Sequence, residues 1–408
     1  MKIQLPREVK RIIQILSEGG FEAYTVGGSV RDSLLGKVPK DWDITTDAKP
    51  EEVKALFHRT IDTGIQHGTV TVMMNGRGYE VTTYRIDGQY LDSRHPEEVT
   101  FTANLKEDLR RRDFTINAMA YNETNGLQDY FGGQEDLQKG IVRAVGVAAE
   151  RFTEDALRIL RAVRFAAQLG FTIEEQTLAA AKALSGRISF VSAERIREEL
   201  LKILTSEHPD YVGVLDDVGA LEQFYDEYAP KKEEINALLL KVPAEKVIRL
   251  SVFFGRSGKD LVHSYKIAER VLDFLRFDNE TKNSVLHVIR FSDVKLTTDR
   301  VLLRRFLNAC GRESYENILL YLENVENIDM APVRREIEGI VSDGECTSLK
   351  ELAISGKDLI KLGMRPGREM GEILMELLAD VLTDPGKNDR ERLLERAKAL
   401  QKELPKKA

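Results

Sequence analysis

The sequence predicts an α+β protein: a head mixing sheet and helix over residues 1–145, then an all-α remainder. Its 408 residues exceed the roughly 250 to 300 at which a single hydrophobic core stops growing. Short β-rich runs alternate with helical spacing through the first third of the chain. After Phe152 the texture changes to long amphipathic stretches, Asp155–Leu169, Glu194–Leu204 and Ile267–Leu275, with few β-branched runs.

Val9, Ile12, Ile13 and Leu16 recur at helical spacing, and Gly19-Gly20 stops that helix before the strand-like run Phe21–Val26. Further strands are expected at Trp42–Thr45, Thr69–Met74 and Tyr79–Tyr84. The last two are joined by Asn75-Gly76-Arg77-Gly78, which has hairpin-turn chemistry. Pro209, Pro230 and Pro243 punctuate the helical half, and Asp384-Pro385-Gly386 marks a turn before a final charged helix, Asp389 to Lys402. No fixed-period repeat points to a solenoid.

Hydrophobic residues make up 42% and charged residues 31%, with 11 Pro and 29 Gly, which fits neither disorder nor a collagen-like repeat. Two cysteines, Cys310 and Cys346, are too few for a disulfide framework and suit a reducing compartment. Charges interrupt every apolar run at the start, and nowhere do about 18 apolar residues follow one another, so neither a signal peptide nor a membrane span is expected. The reading is cytoplasmic. A net charge of −7 argues against coating nucleic acid by bulk electrostatics. Contact with RNA would be local, at Arg110–Arg112, at Arg158, Arg161 and Arg164, or along the stretch from Lys387, with eight Lys/Arg against four Asp/Glu.

Asp41-Trp42-Asp43 lies in a strand-like segment, so both carboxylates point to one side and Trp42 to the other. Such a pair suits Mg²⁺, which takes one or two carboxylates plus substrate phosphates; alone, it reads equally as a charged strand end. Glu80, on a strand of the expected hairpin, can add a third carboxylate to the same face, the set required for two-metal nucleotidyl transfer. Cross-strand pairing with a Lys or Arg is its alternative. Val26-Gly27-Gly28-Ser29-Val30-Arg31-Asp32 leaves a strand and opens a helix, where bare glycine backbone and Arg31 can approach phosphate. The same glycines also make a plain tight turn. Three consecutive arginines ending at Arg112 can face a triphosphate or pair with Glu107, Asp108 and Asp113.

Thr153-Glu154-Asp155-Ala156-Leu157-Arg158 reads as a helix start with Thr153 as N-cap. On that helix Asp155 and Arg158 are i,i+3 neighbours presenting an acceptor beside a donor. Cytosine and adenine both show an exocyclic amine beside an unprotonated ring nitrogen, so this pair selects C and A together. Arg161 and Arg164 continue the ridge toward phosphates or a primer strand.

In order and wording, GGSVRDSLLGKVPKDWDITT, LKEDLRRRDFTINAMAYN, DYFGGQEDLQKGIVRAVG, TEDALRILRAVRFAAQLGF and SAERIREELLKIL resemble the five motifs of the bacterial class II tRNA nucleotidyltransferases, the CCA-adding enzymes, which share a head with bacterial poly(A) polymerases. The resemblance implies a polymerase-β-like catalytic head at 1–145, a helical neck at 146–208 that recognises the nucleotide base, a helical body at 209–325 and a tRNA-binding helical tail at 326–408. It implies Mg²⁺-dependent addition of CCA to the tRNA 3′ end from CTP and ATP, without a nucleic-acid template, by a monomer or homodimer. Asp41 and Asp43 then match the metal ligands and Glu80 the third catalytic carboxylate. Gly28, Arg31, Arg112, Asp155, Arg158, Arg161 and Arg164 match nucleotide-binding positions. The segment Asp87 to Val99 occupies the place of the flexible loop implicated in switching from CTP to ATP, and is full length.

Tyr130 stands where the family usually has Pro, which leaves Asp129–Gly133 less rigid and predicts an effect on packing, not on chemistry. Residues 62–72 are of the CCA type, not the Arg-rich poly(A) polymerase type. His58, His67, His95, His208, His263 and His287 are scattered, without the His-Asp pair of an appended phosphohydrolase. The alternatives are an enzyme adding A alone, a poly(A) polymerase, and a non-catalytic RNA-binding protein that kept this fold. Lys402, Lys406 and Lys407 are candidates for RNA contact, or a solvated tail.

Overall fold

The computed structural model describes residues 3–65, 68–88 and 99–403. It divides into two compact units, Met1–Leu240 with Val271–Phe277, and Lys241–Arg270 with Asp278–Ala408.

In the first unit, helix α1 (Arg7–Glu18) buries Val9, Ile12, Ile13 and Leu16, the stripe expected from their spacing, and ends where Gly20 takes φ 89°. Strand β1 (Ala23–Val26) follows, then α2 (Gly28–Leu34), β2 (Asp43–Thr46), α3 (Pro50–Leu56), β3 (Thr60–Gly64), β4 (Thr69–Met74) and β5 (Arg77–Thr83). The β4–β5 turn is Asn75-Gly76 with both φ values positive, 51° and 78°, the two-residue geometry whose twist matches the flanking strands. Strands β6 (Arg85–Asp87) and β7 (Val99–Phe101) pair with each other. Residues 89–98 of the expected specificity loop lie outside the described residues. Helix α4 (Leu105–Arg110), β8 (Met119–Asn122), β9 (Gly126–Asp129) and α5 (Gly133–Lys139) complete the head.

Among the described residues, seven strands form one mixed sheet in the order β3-β4-β5-β2-β1-β8-β9, with β2 and β5 parallel. Strands β3, β8 and β9 escape the sequence reading because they lack clear alternation. On one face Val26, Ala118, Ala120, Leu109 and Tyr84 form a continuous core.

The stretch from Ala148 onward corrects one expectation. Thr153 caps no helix; it lies within α6 (Ala148–Glu154), its hydroxyl donating to the Ala149 carbonyl. Asp155 is extended, at φ −144° and ψ 104°, and α7 (Leu157–Leu169) begins beyond it. The break arises because the Asp155 carboxylate accepts the Leu157 N–H at 3.1 Å, a local bond that competes with helix continuation. Asp155 and Arg158 are therefore not i,i+3 partners on one helix. Helices α8 (Glu175–Leu184) and α9 (Ala193–Leu204) follow, α9 packing along α7.

In the second unit Lys246–Gly255 is buried nearly all round against Asn279–Arg290 and Tyr315–Val325. A separate core joins Arg368–Thr383 and Arg390–Glu403 through Leu377, Val381, Leu393 and Ala397. Arg304, 4% exposed, donates to the Leu382 carbonyl at 2.7 Å and pairs with Glu345, so a buried charge here is both paired and hydrogen-bonded.

Two packing features of the head yield tests. A Cβ on Gly133 would lie 2.2 Å from the Thr115 carbonyl oxygen, so Gly133→Ala is expected to destabilise the protein by about 1–3 kcal/mol, measurable by urea unfolding. Burial would raise the Asp113 carboxyl, but Arg161, Asn117 and Arg158 outweigh it and hold it down to about 2. A depressed folded-state value contributes stability above the unfolded value near 3.8, which is lost as pH falls toward 2. The stability difference between the unmodified protein and Asp113→Asn is expected to shrink by roughly 1 kcal/mol from pH 6 to pH 3, read from paired urea curves.

Candidate active site

Parallel pairing sets Ile44 beside Val81, both buried. One residue earlier in each strand, Asp43 and Glu80 must therefore turn to the opposite face. Asp41, two residues before Asp43, joins them. Desolvation pushes the Asp43 carboxyl up, Arg112 offsets this in part, and Asp41 adds to it. Desolvation likewise raises Glu80, reinforced by Asp43 and Asp41. These are three mutually repelling carboxylates, and among the described residues no Lys or Arg forms an ion pair with any of them. Nor do three His, Cys, Asp or Glu residues among the described ones close into a ready cage for a metal. The carboxylates form an open, electron-rich edge.

Of the ten residues matched to metal, catalytic and nucleotide-binding positions, a cleft of about 670 Å³ gathers all but Glu80: Gly28, Arg31, Asp41, Asp43, Arg112, Asp155, Arg158, Arg161 and Arg164 line it. Gly27 takes φ 75°, and a Cβ there would begin 3.2 Å from the Arg112 guanidinium, so a bare backbone lets Arg112 reach the cleft. Arg112 touches Asp108 at 3.4 Å, and its buried Nε has no partner among the described residues. Arg111 is held to Asp108 by two hydrogen bonds, at 3.0 and 2.8 Å. Arg110 pairs with Glu107 at 3.5 Å and does not line the cleft, so two arginines of the run face it, not three.

Arg31 donates to Asn117 Oδ1 at 2.6 Å and to Asp32. Asn117 donates to Asp113 at 3.1 Å, and Asp113 accepts from Arg161 through Nε at 2.8 Å and through a second guanidinium nitrogen. Arg164 is bound to Glu199 and to Gln168. The guanidinium carbons of Arg31, Arg161 and Arg164 lie 5.0, 5.4 and 3.9 Å from the centre of the Phe165 ring, within the range of cation–π attraction. Phe165 meets Phe114 edge-on at 5.7 Å.

Elsewhere in the cleft, Asp155 receives Arg195 on both oxygens, at 3.2 and 2.7 Å. Arg158 donates to Glu154 at 2.6 Å and to the carbonyls of Arg151 and Arg111 at 3.2 and 3.0 Å. Asn117, Phe165 and Arg195 were not picked out from sequence. Phe165 occupies an apolar position of an amphipathic helix; Asn117 offers a signal as a polar residue between Ile116 and Ala118-Met119, whereas nothing sets Arg195 apart within the charged run SAERIREEL. Tyr130 leaves its turn closed, because the Asp129 carboxylate accepts the N–H groups of Phe131, Gly133 and Gln134. His67, His95, Lys406 and Lys407 lie outside the described residues.

Residues 23–143 match the poly A polymerase head domain, and residues 170–232 a model described as a probable RNA and SrmB-binding site of polymerase A. Residues 260–397 match a tRNA nucleotidyltransferase domain 2 model. The CCA-adding enzyme of Leuconostoc mesenteroides is 38% identical over 98% of both chains. That of Enterococcus faecalis is 39% identical over 97% of both. The crystal structure of the Bacillus stearothermophilus CCA-adding enzyme in complex with CTP superposes with a TM-score of 0.83 at 30% identity, covering 98% of this chain and 100% of that one. With relatives this similar along nearly its whole length, and with four of the five motifs contributing residues to one cleft, the chain belongs to the CCA-adding enzymes, the tRNA nucleotidyltransferases built on a poly(A)-polymerase head.

Proposed function

We propose that this protein adds and repairs the 3′-terminal CCA of tRNA from CTP and ATP, without a nucleic-acid template and with Mg²⁺. The observation that carries the proposal is the cleft whose lining runs from Asp41 and Asp43 through Arg31, Arg111 and Arg112 to Asp155, Arg158 and Arg195. A ribonucleoside triphosphate calls for each of these groups: carboxylates with a metal at its reacting phosphorus, positive charge at the two further phosphates, and, on the sugar side of the reacting phosphorus, an acceptor and a donor for the base edge. Asp41 and Asp43 fit a magnesium ion, since two oxygen ligands on an open edge leave room for phosphate and water. When bound, the metal neutralises phosphate charge and lowers the pKa of an attacking hydroxyl. The arginines bind the triphosphate by fixed positive charge. Asp155 keeps an acceptor site free beyond its two bonds to Arg195 and its bond to the Leu157 N–H, since a carboxylate offers about four such sites, and this one accepts the exocyclic amine of C or A. Arg158 supplies the neighbouring donor.

We assign the head to 1–145, the neck to 146–208, the body to 209–325 and the tRNA-binding tail to 326–408. The full-length segment Asp87 to Val99 argues against an enzyme that adds CC alone, and extension of defined transcripts separates complete CCA addition from addition of A alone.

The test is extension of transcripts ending before CCA, at C or at CC, with Mg²⁺ and each nucleotide alone and together. Two C residues followed by a single A on the shortest transcript is the expected result. A added only to the CC-ending transcript marks an A-adding specialist, long A tracts a poly(A) polymerase, and no product an RNA-binding protein. In the same assay Asp41→Ala should abolish product. Arg195→Ala, which releases Asp155, should raise KM for CTP and ATP by roughly tenfold, equivalent to about 1.4 kcal/mol, and narrow the preference over UTP, with KM for tRNA unchanged.

A further inference from the structure

Asp108 is a fully buried carboxylate on α4, flanked by Leu105 and Leu109, which pack into the core of the head. We propose that Asp108 is the positioning residue of the triphosphate site: it fixes Arg111 and Arg112 relative to the carboxylate-bearing strand β2, so that the cleft favours a nucleoside triphosphate over a monophosphate. The proposal rests on the reading above, which places the triphosphate at these arginines.

The two oxygens of Asp108 engage different elements. Oδ1 accepts Arg111 through two guanidinium nitrogens, at 3.0 and 2.8 Å, and the Arg85 N–H of β6 at 3.4 Å. Oδ2 accepts Arg112 at 3.4 Å and the Thr45 hydroxyl at 3.1 Å, a proton that Thr45 shares with the Thr82 carbonyl at 3.2 Å. Thr45 stands two residues beyond Asp43 on β2, so alternation turns both side chains to one face. One carboxylate thereby joins the two arginines of the run that line the cleft to the strand that carries Asp43. Burial would raise the Asp108 carboxyl, but Arg111, Arg112 and Thr45 outweigh it and hold it below its ordinary value, so Asp108 stays charged at neutral pH.

A triphosphate needs such a tie because its charged groups lie in a row. The α-phosphate belongs at the carboxylates, while the β- and γ-phosphates meet guanidinium groups farther along. Two adjacent guanidinium groups without a shared acid would repel each other and turn toward solvent, so their spacing from Asp43 would be lost. Asp108 prevents this, although its charge subtracts from theirs. The two effects have opposite signs. If Asp108 were only a counter-charge, removing it would tighten CTP; as a positioning group, its removal loosens CTP. A monophosphate ends before these arginines and responds to neither.

The measurement is calorimetric titration of the full-length protein with CTP in Mg²⁺, and with CMP by competition. Asp108→Asn, which keeps the shape and removes the charge, should weaken CTP roughly tenfold, the scale of one hydrogen bond between charged groups, and leave CMP within about twofold. Arg195→Ala, at the other end of the cleft, should weaken CTP and CMP alike. Unchanged or tighter CTP binding by Asp108→Asn overturns the proposal, and so does an equal loss for CTP and CMP, the mark of general damage. Should Asp108→Asn fail to fold, Thr45→Val decides: it cuts the tie to β2 with both arginines still paired, and should weaken CTP by about threefold with CMP unchanged, whereas no selective loss overturns the proposal. If the unmodified protein shows this binding pattern yet extends no transcript, the nucleotidyl-transfer reading fails and the role of Asp108 stands. Extension without the pattern sinks the role of Asp108 alone.

Discussion

The buried Asp113 carboxylate is the fixed point of the catalytic unit. One of its oxygens accepts the Phe114 N–H and the Asn117 amide, and the other accepts Arg161. Through Asn117 it reaches Arg31 on α2, and through Arg161 it reaches α7. Three stretches distant in sequence, around residues 31, 113 and 161, are thereby locked to one another. A charge this deeply buried is tolerable only when every lone pair is engaged, and removing a partner leaves an uncompensated ion. The network therefore has two states, complete or costly, which holds the groups proposed to bind phosphate and to read the base at fixed separation.

The same unit must hold like charges together, and it does so differently at its two ends. Each arginine near Phe165 has its own acid: Asp32 for Arg31, Asp113 for Arg161 and Glu199 for Arg164. The ring supplies its negative face to all three, so the cluster stays compact before substrate arrives. On the sheet face, among the described residues, nothing equivalent protects Asp41, Asp43 and Glu80, whose repulsion is eased by the field of Arg112 on Asp43. A preorganised anion site beside an uncompensated cation site is the polarity that a magnesium–nucleotide complex needs.

Much of this was legible in the sequence wherever a local rule operates. The α1 stripe, the Asn75-Gly76 turn and the opposite faces of Ile44 and Asp43 follow from periodicity and turn chemistry that depend on near neighbours alone. The helix break at Asp155 did not, because Thr-Glu-Asp also makes a good helix start, and the choice was made by the Leu157 N–H and by Arg195, 40 residues away. Phe165 was hidden for a related reason: an aromatic at a core position of an amphipathic helix has the same pattern whether it packs against leucine or beneath three guanidinium groups. Arg110 shows the converse, since a run of identical residues carries no sign of which members turn inward.

Reading a base without a template demands that protein groups stay where a partner strand would otherwise be. A carboxylate on a continuous helix would swing through several rotamers; Asp155 instead sits on a fixed extended residue, its oxygens tied to a backbone N–H and to both guanidinium nitrogens of Arg195. Arg158 is anchored to Glu154 and to two backbone carbonyls, so acceptor and donor are each immobilised by separate elements. Their separation is then set by the packing of α7 against α9, not by helix geometry alone. With Asp155 and Arg158 in the base-reading roles proposed above, the break at Asp155 makes the selection of C and A a property of the tertiary fold, and it places control of that selection in α9, outside the EDxxR segment.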